Sequence, residues 1–261
     1  MKDPGTVGRK MKQNRQSGFS LIELMVAILI LMVIMAAVFT QIDEVQKRFR
    51  SEETKVDIFQ TAREFIDQMT RDIHQAGYPN GKMFADGGTA TGYQNANNAI
   101  GIYYITKNEV RFQGDVDGDG QVDFVAYKLF PQSATPGDQN CPCLRRSQLL
   151  KQVAMVDPMT QAPDWRTQVE NVSTTGVNGD NIFIPYDKFG AVVALGTTGL
   201  TKFNFYPKDD GVTAGLTPLA PDPINKIWSV QIQLNVQASV GDIGTQTKPH
   251  VFLTATAQVN N

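Results

Sequence analysis

Residues 16–25 read Gln16-Ser17-Gly18-Phe19-Ser20-Leu21-Ile22-Glu23-Leu24-Met25, and the chain then runs almost wholly apolar to Ile42. Between Leu24 and Ile42 there is no charge, no proline and no glycine. At about 1.5 Å per residue that stretch makes a straight helix about 28 Å long, roughly one bilayer core. The segment before it, residues 1–18, carries Lys2, Arg9, Lys10, Lys12 and Arg15 against a single acid, Asp3. Basic residues beside an apolar span mark the side held in the cytoplasm. One carboxylate, Glu23, sits just inside the apolar segment, where an ionisable group is costly and by default marks function.

Two simpler readings of this region fit less well. A secretory signal peptide has small residues at a cleavage site after its apolar stretch, whereas this run ends in Phe39-Thr40-Gln41-Ile42-Asp43-Glu44. An ordinary single-span anchor gives no reason for Glu23 or for the Gly18-Phe19 junction.

Gly18-Phe19-Ser20-Leu21-Ile22-Glu23 resembles the type IV prepilin processing motif, shared by pilins and by the pseudopilins of type II secretion. The resemblance implies that a prepilin peptidase cuts between Gly18 and Phe19 and N-methylates Phe19. It also implies that the apolar helix is retained as the packing spine of a filament, in contact with other pilins or pseudopilins. The mature chain would then present an α-amino cation at Phe19 with Glu23 four residues on. A carboxylate in hydrocarbon is tolerable when an ammonium group of a neighbouring subunit neutralises it. Such a pair would set the stagger between helices, because other registers leave both charges unpaired.

Beyond Ile42 the helical pattern persists. Ile42, Val45, Phe49, Val56, Phe59, Ala62, Ile66, Met69, Ile73 and Ala76 recur mostly at spacings of three and four, with one gap at Glu52. That is an amphipathic stripe, and Lys47, Arg48, Arg50, Glu53, Lys55 and Asp57 fall mostly on the other face. Gly77 and Tyr78-Pro79-Asn80-Gly81 are stop signals. One helix over 19–76 would be about 87 Å long, so a membrane half joined to a half that packs on a soluble domain is expected.

Residues 80–261 are richer in Gly, Asn, Thr and Pro, with short β-rich runs at 100–106, 109–113, 124–129, 181–185, 200–206, 227–236 and 251–259. The run 227–236 alternates apolar and polar residues, the pattern of a sheet with one buried face, and 251–259 is its expected antiparallel neighbour. Residues 81–98 and 208–225 read as loops. The expected fold class is α+β, an antiparallel sheet packed on the second half of a long helix. Its expected divisions are a leader at 1–18, a transmembrane and filament-core helix at 19–42, an amphipathic continuation at 43–78 and a β-rich head at 79–261.

Within the prepilin class, Thr70-Arg71-Asp72-Ile73-His74-Gln75-Ala76-Gly77-Tyr78 is similar to the helix-ending segment of PilW-like minor pilins and their GspJ-type pseudopilin relatives. The strand, Asp-rich loop and strand at 109–130, the following Leu144-Arg145-Arg146, and the stretch from Phe203-Asn204-Phe205-Tyr206 to Val236 run in that family's order. The ending Val259-Asn260-Asn261 departs from the family's usual Arg-Asn. The resemblance implies a minor pilin that helps start or cap a type IV pilus. It places the chain first in the inner membrane, single-pass with its head outside the cytoplasm, then in a surface pilus or periplasmic pseudopilus. A secretion-system pseudopilin and a membrane-anchored calcium-dependent adhesin are the competing functions.

Asp115-Val116-Asp117-Gly118-Asp119-Gly120-Gln121-Val122-Asp123 carries the only site chemistry in the head. Carboxylates at loop positions 1, 3, 5 and 9, with glycine at 6, match much of a calcium loop, and Gln121 can add its backbone carbonyl. Position 12 is Ala126 instead of a bidentate Glu, and the flanks read as strands, so an EF-hand is not expected. The pattern looks more like the Asp-Gly-rich calcium hairpins of FG-GAP-type repeats, with the modest affinity suited to extracellular calcium. A polar hairpin tip with no ion is the plainer alternative.

Cys141 and Cys143 are the only cysteines, open to a bridge, an intermolecular link or free thiols. The histidines, His74 and His250, and the tryptophans, Trp165 and Trp228, suit structural or surface roles. No phosphate-binding Gly-Lys loop, nucleophile elbow or metalloprotease helix supports an enzyme. A net charge of −2 gives no general reason to expect nucleic-acid binding.

Overall fold

The computed structural model describes residue 18 and residues 20–79, 97–131, 141–151, 164–173, 181–207, 214–218, 223–238 and 248–259. It divides into two compact units, one ending at Phe49 and the other beginning at Arg50.

The first unit is the opening part of helix α1 (Leu21–His74). Ser20 begins it, its carbonyl accepting from the Glu23 and Leu24 amides. Every described side chain from Leu21 to Phe49 is exposed. An all-round apolar helix with no protein cover suits a lipid or helix-packing environment. Among its described residues charge pairs lie near its end, with Lys47 on Asp43 at 2.7 Å and Arg48 on Glu44 at 2.6 Å.

In the second unit α1 is amphipathic. Ala62, Phe65, Ile66, Met69 and Ile73 are buried, while Val56 and Phe59 remain exposed. The expected stripe is therefore core only from Ala62 onward, with Ile58 at its margin. Burying a side chain such as Met69 or Ile73 contributes about 1.5–3 kcal/mol. After His74 the chain reverses at Gly77, whose φ of 86° favours a residue without Cβ.

Among the described residues three antiparallel sheets follow. The largest has the order β5-β4-β3-β2-β1-β7, built from β1 (Gly101–Ile105), β2 (Glu109–Gly114), β3 (Asp123–Phe130), β4 (Cys143–Leu150), β5 (Arg166–Val169) and β7 (Leu200–Thr201). A second, ordered β11-β10-β6, joins β6 (Phe183–Tyr186), β10 (Ser229–Gln237) and β11 (His250–Gln258). The third pairs β8 (Phe203–Pro207) with β9 (Ala214–Pro218). One apolar cluster unites Ile66 and Met69 of α1, Phe112 and Val125 of the large sheet, and Ile232 and Leu234 of β10. The arrangement is α+β, as expected.

β10 and β11 pair in unbroken antiparallel register from Ser229↔Gln258 to Gln237↔His250. Three expectations need correction. The run 200–206 is not one strand: it breaks at Lys202 and feeds two different sheets. The expected loop 208–225 contains β9 and the start of a 3-10 turn, Pro223–Lys226. β4 and β5 lie outside the expected strand runs, and in β4 Arg145 and Arg146 interrupt the apolar pattern. The loop expected at 81–98 lies outside the described residues up to 96. Cys141 and Cys143 form a disulfide with each other. Trp165 stacks edge-on against Phe130, Trp228 is exposed, and His250 opens β11.

Candidate functional site

The aspartate segment is the tip of the β2–β3 hairpin, whose last ladder pair is Gly114↔Asp123. Val122 is buried and Val116 packs against the main core, so the tip is rooted at both ends. Gly118 and Gly120 take φ of 77° and 83°, which lets the loop fold its acids inward. Asp115 is buried, and its carboxylate accepts from the Gly118 and Gly120 amides at 2.8 and 3.1 Å. Asp117 and Asp119 are exposed and accept from the Asp119 and Gln121 amides. One oxygen from each of Asp115, Asp117 and Asp119 can be chosen so that all lie within 4.8 Å of one another.

Asp123 plays a different part. It is 1% exposed and accepts from Gln148 Nε2 at 2.8 Å. Burial, then the charge of Asp117, push its pKa up to about 6, against the Gln148 hydrogen bond. The Gln121 side chain bonds to Asp119. The sequence thus brings three of its acids together, with Asp123 behind them as a reluctant anion.

Asp117, Asp119, Asp123, Arg146, Gln148 and Arg166 line a cleft of about 370 Å³ beside β4 and β5. Arg146 is committed on its other side. Its guanidinium bonds Asp72 of α1 at 2.8 and 2.9 Å and the Tyr127 hydroxyl at 3.1 Å, and Tyr127 donates to Asp72 at 2.5 Å. Burial, then the Asp72 charge, push the Tyr127 pKa well up, so it remains a donor. In the sequence Asp72 and Arg146 stand out only as parts of the PilW-like segments. The available signal was an acid on the apolar stripe of a helix, one turn from Met69. Lys151 was also missed: it is buried, and Nζ donates to the Asn98 carbonyl at 2.5 Å.

The root of the hairpin meets the end of α1. Gly77 N donates to Gln113 O at 2.8 Å and Asp115 N to Tyr78 O at 2.9 Å. A Cβ at Gly114 would collide with the Gln75 carbonyl, which makes glycine obligatory at that approach.

The raised pKa of Asp123 gives a signed prediction. An unfolded Asp ionises near 3.9, but the folded one holds its proton to about 6. Between those values the unfolded state releases its proton first, so stability of the cation-free protein falls as pH rises from about 4 to 6. With a chelator present, Asp123→Asn should raise the melting temperature at pH 7.5 and flatten its slope across that window. An unchanged slope would remove this account.

In the first unit, Gly18 and Ser20 are described, Phe19 lies outside the described residues, and Glu23 is exposed in the first turn of α1. Ser20 and Glu23 have the N-cap and N3 spacing of a capping box, a local reason for an acid there that sequence reading overlooked. Its charge also faces the positive end of the helix dipole. The stretch is exposed, and one window reaches a mean hydropathy of 3.0, enough by length and composition to cross a membrane.

The family model described as the prokaryotic N-terminal methylation motif matches residues 13–39. The match supports a type IV prepilin-like protein, pilin or pseudopilin, and with the apolar helix it fits a membrane-anchored chain. Neither the curated proteins nor the solved structures contain a match.

Proposed function

We propose that the chain is a minor pilin of a type IV pilus, PilW-like in its head, that takes part in assembly or initiation. The carrying observation is the Gly18-Phe19 junction followed by an acid in the first turn of an exposed apolar helix. On this reading the leader 1–18 is removed by prepilin peptidase and Phe19 is N-methylated. The protein waits in the inner membrane, single-pass, with the head outside the cytoplasm, and Glu23 then meets the Phe19 amine of an adjoining subunit. Intact-mass analysis of the protein recovered from membranes should give a chain beginning at methylated Phe19. A chain that keeps its basic leader, or starts beyond Ile42, would overturn the proposal.

A pseudopilin of a type II secretion system shares all these features. Pilus or secretion genes beside this one would separate the two.

The aspartate hairpin supports a second element, a calcium site formed by Asp115, Asp117, Asp119 and Asp123 with the Gln121 carbonyl. Oxygens bound to one calcium at about 2.3–2.6 Å lie no more than about 5.2 Å apart, and the three clustered carboxylates already meet that limit. The ion would offset the repulsion that holds Asp123 protonated, and the site would suit an adhesive or binding role. Calcium at ten times its Kd adds about 1.4 kcal/mol, or roughly 3–5 °C in Tm. Millimolar calcium should produce that rise in the full chain, and Asp119→Ala should lose it. No rise in the unaltered protein would remove the site.

A further inference from the structure

β11 is the outer strand of its sheet, and its free edge has a pattern of its own. Val259 N donates to Trp228 O and Ala238 N to Pro249 O. In an antiparallel ladder this alternation turns the main-chain groups of Val251, Leu253, Ala255 and Ala257 toward β10, and those of His250, Phe252, Thr254, Thr256 and Gln258 outward. The outward carbonyl of Gln258 lies 3.2 Å from His74 Nδ1 of α1. Among the described residues, no strand pairs with the rest of the edge.

An unpaired row of this length is a template for another strand, and folded proteins ordinarily blunt it with charge, proline or a bulge. β11 has none of these along its nine residues: Lys248 and Pro249 stop short of it, and its register is unbroken. The core also ends unfinished here. Val230, Ile232 and Leu234 of β10 are buried, but Val251, Leu253 and Ala255 on the same face are only half-buried.

The side chains indicate what completes it. Thr254 is the middle residue, and turning the strand about it opposes Leu253 to Ala255, Val251 to Ala257, and Phe252 to Thr256. Each large residue meets a small one, and no like charges oppose. Outward groups also meet outward groups, because Thr254 faces Thr254 and Phe252 faces Thr256, which antiparallel bonding requires. A non-self strand would have no reason to be matched by this order of residues.

We propose that β11 pairs edge to edge with β11 of a second copy of this chain, antiparallel about a two-fold axis at Thr254. This interface goes beyond the pilin reading and does not rest on it. Directly opposed residues of such a pair have Cα atoms about 5.5 Å apart, within disulfide reach. Cys141 and Cys143 are already bonded to each other, so an introduced cysteine is the only free thiol.

The experiment uses the full chain purified in detergent under mild oxidation. Thr254→Cys should form a covalent dimer. Phe252→Cys alone should not, since its two copies would stand about 14 Å apart, but mixed with Thr256→Cys it should cross-link as a heterodimer. Light scattering of the unaltered protein should give a dimer mass, lost on Thr254→Pro. A monomeric unaltered protein, no cross-link at Thr254→Cys, or equal cross-linking of all three single variants would each overturn the proposal.

Discussion

Asp72→Ala is expected to destabilise residues 50–261 by about 3–5 kcal/mol, because it strands a largely buried guanidinium. Arg146 is only 14% exposed, and its described acidic partner is Asp72. For a domain of this size the loss corresponds to roughly 10 °C in Tm. The deficit is one of desolvated charge and not of volume, so replacing both partners, Asp72→Leu with Arg146→Met, should recover most of it. Thermal unfolding followed by circular dichroism reads both variants. If the double variant is no better than the single one, the cost lies in packing around Tyr127 and the electrostatic explanation fails.

The second large effect concerns Glu23. On the proposed function, Glu23→Ala should leave processing at Gly18 largely intact and abolish recovery of the chain in sheared filaments. Alanine alone is ambiguous, since it would also remove the N3 member of the Ser20-x-x-Glu23 capping box, worth about 1 kcal/mol at most helix starts. Glutamine separates the two roles, because it can serve at N3 but carries no charge. Glu23→Gln should therefore assemble as poorly as alanine. Filament incorporation equal to the parent would leave Glu23 as a helix cap and nothing more.

Much of this architecture was legible from period alone. The apolar helix declares itself by an unbroken apolar run, and its amphipathic continuation and the β10–β11 pair by a period that separates a buried face from a solvated one. β4 was hidden for the opposite reason. Arg146 points into the protein to meet Asp72, so the strand's inner face carries a charge that alternation reads as loop. The break at Lys202 was equally invisible, since Lys202 Nζ reaches the Ile100 carbonyl, a residue distant in sequence. The aspartate hairpin was located correctly as a strand-loop-strand unit. The separate standing of Asp123 was not, because it depends on Gln148 from the neighbouring strand.

The junction of Gln75, Gly77 and Tyr78 with Gln113, Gly114 and Asp115 has a mechanical consequence. Tension drawn along the last turns of α1 would reach the sheets through the shared apolar core and through two main-chain hydrogen bonds at the foot of the acidic hairpin. The Asp72–Arg146 bridge ties the same helix to β4 about one turn earlier. The helix thus enters the head at a place held at once by main-chain bonds, an ion pair and the apolar cluster.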